Sequence, residues 1–394
     1  MELVLNDEHI LLRESAEKLV AQLGGPAAHR QLRDSADGFD RARHKAIAEA
    51  GWLSLLVPER AGGFGLGVTG LALALEQAGR GLLTEPIAAS AVVAYAIASG
   101  HSATGAAGTL NDVLAGEQII VPALADSATP DGGREKLSAE PYHYGYRVTG
   151  MRASVPLAGS ATAFLVDAAM SNGSVLLIVP VNTFGVEVAA AASVDGQANA
   201  TVSFAEASMM DDAWLIAGVN QGASLCADAY DRLLLANAAE MLGVMAAALE
   251  LGIGYMKTRE QFGRAIGSFQ ALQHRAVNAH VEVELTRSLL YQVCAAVDGG
   301  RANRSMVAAV KARASEAVLD VTKSVIQMHG AIGFTDEYEA GLYLRRAMVL
   351  AARHGNAAHH RKRFAALTAA AADSGTDAPK RRKRRKRKKS IFAS

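Results

Sequence analysis

Hydrophobic and polar positions along the chain fall into three textures. Across residues 1–118 apolar residues recur at helical spacing. Ile10, Leu11, Ala16 and Leu19 follow a capping signal at Leu5-Asn6-Asp7, and another helix is predicted from Arg41 to Ala50. Val68 to Gly79 and Ala88 to Ala98 are so apolar that they are stable only when buried. Over residues 119–222 the period shortens. Alternating or wholly apolar runs at Ile119 to Leu124, Tyr144 to Thr149, Thr162 to Val166, Val175 to Val181 and Ala200 to Phe204 predict strands. Turn-rich pieces such as Thr129-Pro130-Asp131-Gly132-Gly133 separate them, as suits a small antiparallel barrel or sandwich. The absence of strand–helix–strand alternation argues against a Rossmann domain. Over residues 223–372 the helical period returns, with long helices predicted at Ala223 to Thr258, Ile266 to Gly299, Ser305 to His329 and Asp336 to Ala372, an antiparallel four-helix bundle. The expected fold class is therefore α+β multidomain: an α-helical domain, a middle β-domain, then an α-helical bundle.

Residues 373–394 depart from all three textures. They carry Pro, Gly, Ser and ten consecutive basic residues, Lys380 to Lys389, and read as a disordered basic tail able to contact anionic surfaces such as lipid headgroups, RNA or the phosphates of coenzyme A. This run hides the charge of the rest. The chain's formal +1 becomes −9 without it, 30 basic residues against 39 acidic, which argues against nucleic-acid binding by the body. A length of 394 residues, half of them apolar, suffices for two or three buried cores. Cys226 and Cys294, the only cysteines, sit in apolar helix-like stretches and read as reduced core residues. Residues 1–21 mix charges with leucines at helical spacing and match neither a signal peptide nor a membrane span, so a cytoplasmic location is expected.

Three motifs carry candidate chemistry. The loop Pro58-Glu59-Arg60-Ala61-Gly62-Gly63-Phe64-Gly65-Leu66-Gly67 has glycines where a chain turns with positive φ. The segment Arg259-Glu260-Gln261-Phe262-Gly263-Arg264-Ala265-Ile266-Gly267-Ser268-Phe269-Gln270 offers planar guanidinium donors at Arg259 for a diphosphate, an aromatic face at Phe262 and an amide at Gln270. The third runs Gln327-Met328-His329-Gly330-Ala331-Ile332-Gly333-Phe334, with Thr335 or Asp336 placed to cap a following helix.

Together these resemble, in order and spacing, the PExxGGxG, RxxFGxxIxxFQ and QxxGGxGF signatures of the acyl-CoA dehydrogenase family, over residues 1–370. The resemblance implies a flavoprotein that converts an acyl-CoA substrate to a trans-2-enoyl-CoA. A carboxylate takes the α-proton, FAD takes the β-hydride, and electrons leave to electron-transfer flavoprotein. It assigns FAD contacts to Arg259, Phe262, Gln270, Gln327, Gly330, Ala331 and Asn356, with Ala331 standing where the family has a second glycine. The assembly implied is a homo- or heterotetramer.

The carboxylate is missing. The family's commoner base position falls on His354, in Ala352-Arg353-His354-Gly355-Asn356, and its alternative position on Leu233. Asp231 lies two residues early, a rotation of about 200° on a helix. A neutral imidazole with an ordinary pKa of about 6.5 can accept a proton. Arg353, His359, His360, Arg361 and Arg363 nearby disfavour the product of that transfer, and a polar helix face explains the same residues. The family's flavin-ring strands are also altered, to Leu124 to Pro130 and Ala153-Ser154-Val155-Pro156-Leu157. The losses fall on the half of the site that a subunit uses for its own flavin. The retained half is the one given to a neighbour. This resembles the base-lacking subunits of heteromeric actinobacterial enzymes of steroid side-chain β-oxidation, which work with a homologous acyl-CoA dehydrogenase subunit. A homomeric enzyme using His354 and a non-enzymatic scaffold of the same fold are the other readings.

Overall fold

The computed structural model describes residues 5–33, 35, 38–100, 103–125, 137–210 and 214–373. The turn from Thr129 to Gly133, the altered stretch from Asp126 to Pro130 and the basic tail lie outside the described residues. Six helices come first: α1 (Asp7–Leu23), α2 (Gly25–Arg33), α3 (Arg41–Glu49), α4 (Gly67–Arg80), α5 (Ile87–Ser99) and α6 (Ala103–Leu114). Asn6 caps α1 by accepting the His9 N–H at 2.8 Å, and Asp40 caps α3 by accepting those of Ala42 and Arg43. The start of α4 is capped from far away. The Asp298 carboxylate accepts the Val68 and Thr69 N–H groups at 2.7 and 2.9 Å and the Thr69 hydroxyl at 2.6 Å. Gly67, at φ +67°, permits this approach, since a Cβ there would stand 2.4 Å from Asp298 Oδ1.

The β-domain comprises β1 (Ile120–Ala123), β2 (Ser138–Tyr142), β3 (Gly145–Val155), β4 (Ala163–Met170), β5 (Gly173–Pro180), β6 (Val186–Ala191), β7 (Asn199–Met209) and β8 (Leu215–Ala217). They form one sheet in the order β6-β7-β3-β2-β4-β5-β8, with β1 added beside β4. The sheet is largely antiparallel, as expected, except that β1 and the start of β2 run parallel to β4. Strands β2, β6 and β8 were not legible. β6 is largely exposed and alanine-rich, and β8 has three residues, so neither shows a clear alternation.

The third part holds α7 (Gly222–Thr258), a small hairpin β9 (Glu260–Gln261) and β10 (Arg264–Ala265), then α8 (Gln270–Asp298), α9 (Arg304–His329), α10 (Ala340–Ala352) and α11 (Ala357–Asp373). The predicted fourth helix is thus two. Arg353 to Asn356 break it, with His354 at φ +56° and Gly355 at φ +95°, and Asn356 starts α11 by accepting the His359 N–H at 3.0 Å. Helix α7 is long and apolar enough to cross a membrane, but it is buried between α4, α9 and α10. The first helices and the bundle share one hydrophobic core that includes Trp52, Leu71, Leu242, Leu290 and Val318. The sheet has its own core around Phe164 and Phe204. Cys226 and Cys294 are buried and in no disulfide.

Candidate functional site

Helix α4, the loop before α5, strand β1, the end of β3 and helices α7 and α10 enclose a cavity of about 40 Å³. Leu233 and His354 both line it, so the two positions to which the resemblance assigns a base converge in space. Neither is a carboxylate. Asp231 does not line the cavity; its carboxylate accepts from Arg363 at 2.7 Å and lies 3.6 Å from Arg304. The His354 turn is held from several sides. Its carbonyl accepts from the Tyr230 hydroxyl at 3.2 Å and meets His360 Nε2 at 2.7 Å, while the Lys311 ammonium donates to the Gly355 carbonyl at 3.0 Å. Burial, reinforced by Arg353, Lys311 and His360, pushes the His354 imidazole down to about 3. An imidazole so reluctant to charge is a poor acceptor for a thioester α-proton.

A buried ion network fills the floor of the cavity. Arg346 donates to Glu240 at 2.8 Å and to Asp195 at 2.7 Å, with all three side chains almost fully buried. Arg353 donates to the Gln197 amide oxygen and lies 3.9 Å from Glu240. Burial and the neighbouring Arg346 lower Arg353 to about 10. Burial opposes the Asp195 charge, but Arg346 and Ser193 outweigh it and hold the carboxyl below its ordinary value. The same cavity receives Pro156 and Leu157, which lie just past β3 where the family's flavin-ring strand was sought. The cavity itself is too small to take a flavin ring, since its space is roughly that of three waters and arginines occupy its floor.

The residues assigned to FAD lie elsewhere. Arg259 follows α7, is exposed, and forms no ion pair among the described residues. Phe262, at the turn of the β9–β10 hairpin, is 90% exposed and stands edge-on to Phe269. Gln270 opens α8 and Gln327 projects from the last turn of α9, both exposed. Gly330, at φ +67°, and Ala331 follow, again exposed, with Phe334 79% exposed beyond them. Aromatic contacts bring the two motifs together: the His329 ring lies 4.5 Å from Tyr255 and 4.7 Å from Tyr338. Val277, Val281 and Leu285, spaced by four along α8, expose an apolar stripe. A diphosphate and an adenine find donors and aromatic faces here, so this half fits FAD.

Asn356 is not brought to that surface. Lys311 holds its neighbour Gly355 near the start of α9, whereas Gln327 and Gly330 mark the other end. Eighteen residues of helix separate Lys311 from His329, about 27 Å at 1.5 Å per residue. The loop from Pro58 to Gly67 lies away from the cavity as well, where it shapes the Asp298 cap of α4.

Sequence reasoning missed Glu85, Asn237, Glu240, Arg346, Asp195 and Gln197. One signal was available for Asn237 and Glu240, which are polar residues inside an otherwise apolar helix and so demand a reason for their burial.

The chain is similar to known proteins over most of its length. Residues 6–117 match the family described as acyl-CoA dehydrogenase, N-terminal domain, and residues 220–367 that described as acyl-CoA dehydrogenase, C-terminal domain. Acyl-CoA dehydrogenase FadE27 of Mycobacterium tuberculosis is 30% identical over 82% of this chain and 86% of its own. The ChsE4-ChsE5 complex from Mycobacterium tuberculosis is 27% identical, with a TM-score of 0.85 over 94% of this chain and 99% of that one. A variant of the Tcur3481-Tcur3483 steroid ACAD is 28% identical, with a TM-score of 0.83 over 93% of this chain and 99% of that one.

Proposed function

This chain belongs to the acyl-CoA dehydrogenase family, oxidoreductases acting on CH–CH bonds, and on that premise we propose that it is the base-lacking subunit of a heteromeric enzyme. The observation that carries the reading is the separation along α9. The His354 turn, held by Lys311, and the FAD-signature residues Gln327 and Gly330 lie toward opposite ends of α9, about 27 Å from Lys311 to His329, so the base position and these donors serve different sites. Arg259, Phe262, Gln270, Gln327, Gly330 and Ala331 would hold the diphosphate and adenine of FAD bound mainly by a homologous subunit. That subunit supplies the carboxylate. The apolar stripe of Val277, Val281 and Leu285 suits burial against the same neighbour.

FAD held by Arg259, Phe262, Gln270, Gln327, Gly330 and Ala331 would supply the acceptor for the β-hydride of the acyl-CoA, with electron-transfer flavoprotein as the onward electron acceptor. This chain's contribution is binding and orientation: cationic and amide donors that compensate the diphosphate charge, and an aromatic face on the adenine. The two heteromeric solved relatives support this reading, and the steroid named for one of them makes an acyl-CoA with a steroid ring system the substrate to try first.

Co-expression with a homologous subunit tests it. The pair should purify together, hold fewer flavins than chains, and lose FAD when Arg259→Ala is introduced here. A yellow homotetramer of this chain alone that dehydrogenates an acyl-CoA overturns the reading. The homomeric reading with His354 as base has the lowered imidazole pKa against it.

A further inference from the structure

Asn237 stands one helical turn beyond Leu233 on α7 and lines the same cavity. It is 3% exposed, and neither its Oδ1 nor its Nδ2 has a hydrogen-bond partner among the described residues. Buried amides are nearly always satisfied by protein or by an ordered small molecule, water included. Glu85 lines the cavity too. Its carboxylate lies 3.2 Å from Arg43 Nε, and burial raises its pKa despite that arginine. Around these two groups the wall is apolar, with Leu75, Ala78, Leu83, Ile87, Val121 and Leu233.

The charges near the cavity balance. Arg43, Arg346 and Arg353 face Glu85, Asp195 and Glu240 in close pairs. An anionic or cationic ligand would bring an uncompensated charge into a buried site. A pure hydrocarbon would leave the amide unpaired. A hydroxyl is the smallest neutral group that both donates to a carboxylate or amide oxygen and accepts from an amide N–H.

We propose that this cavity is a binding site for a neutral apolar alcohol, recognised by Asn237 and Glu85. The volume, near three waters, admits a compact alcohol or the hydroxylated end of a longer molecule. The site is independent of the FAD surface, which lies at the other end of α9.

Ethanol and propane, equal in heavy atoms and differing in the hydroxyl, are the probes, each close to the volume of the cavity. They are titrated by ligand-detected magnetic resonance against the full-length chain purified with its co-purifying subunit. The wild type should bind ethanol about tenfold tighter than propane. Asn237→Leu should bring the two within about twofold, and Leu233→Phe, which fills the cavity from the same helix, should abolish both. Equal binding of the two probes overturns the proposal. So does a preference that survives Asn237→Leu, binding that survives Leu233→Phe, or no ethanol binding at all, which means a cavity that takes water only. Flavin content, read in the same samples, reports separately on the heteromeric function: a colourless wild-type complex counts against that reading and leaves the alcohol titration intact.

Discussion

Arg346 reaches Glu240 and Asp195 from the middle of α10 with almost none of its surface in water. Burial disfavours its charge, yet the two carboxylates outweigh that and raise its pKa. Removing one member of such a set strands the others. Arg346→Met should therefore destabilise the protein by about 3–5 kcal/mol, measured by chemical denaturation, whereas Glu240→Gln combined with Arg346→Met should recover part of the loss. His354 makes the opposite case. It occupies the position where the resemblance seeks a base, but its imidazole stays neutral far below neutral pH. His354→Ala in the assembled enzyme should leave turnover within about twofold of wild type and show no lost titration in the rate profile. At this scale the signature residues were legible because their types are distinctive and adjacent in the chain. The cavity network was not: Arg346 finds its two carboxylates 106 and 151 residues away.

Helices here are fixed as much by distant residues as by their own sequence. The start of α4 has no capping side chain of its own, and Asp298 at the end of α8 takes that role with three hydrogen bonds. Asp298→Ala should cost about 1–2 kcal/mol and raise amide exchange at Val68 and Thr69, with little change in exchange along α9. The glycines of the loop before α4 were visible in the sequence, but not that Gly67 makes room for a carboxylate from another part of the chain. The split between α10 and α11 has the same character. Periodicity ran through Arg353 to Asn356, and only the left-handed turn at His354 and Gly355, held by Lys311 from α9, ends the helix there. Long helices were read correctly where buried faces repeat over many turns. Strands β6 and β8 were missed because an exposed edge and a three-residue element carry too little pattern.

Across the whole molecule the buried bases set an acid limit. Burial, chiefly, lowers His29 and His44 to about 4. An unfolded chain then binds more protons between about 4 and the ordinary value of about 6.5, so stability rises with pH through that window and is lost as pH falls through it. Lys311, lowered to about 7 by burial and Arg353, acts likewise at higher pH: between about 7 and about 10.5 its unfolded form binds the extra proton, and stability rises again. Melting temperature against pH should show both rises, and Lys311→Met should remove the upper one. The sequence by itself determined the order of helical, strand and helical textures, the glycine-rich turns, the FAD-signature motifs, and the identity of Leu233 and His354 at the base positions. The FAD-signature motifs and the base positions are what the family resemblance implies, whereas the textures and turns follow from local rules, since a period of 3.6 or 2 residues tells which face is buried. It does not tell against what. That the first helices share a core with the bundle, that Leu233 and His354 meet at one cavity floored by ions, and that the FAD residues stand at the opposite end of α9 were decided only by tertiary packing, because each depends on residues far apart in the chain being brought into contact.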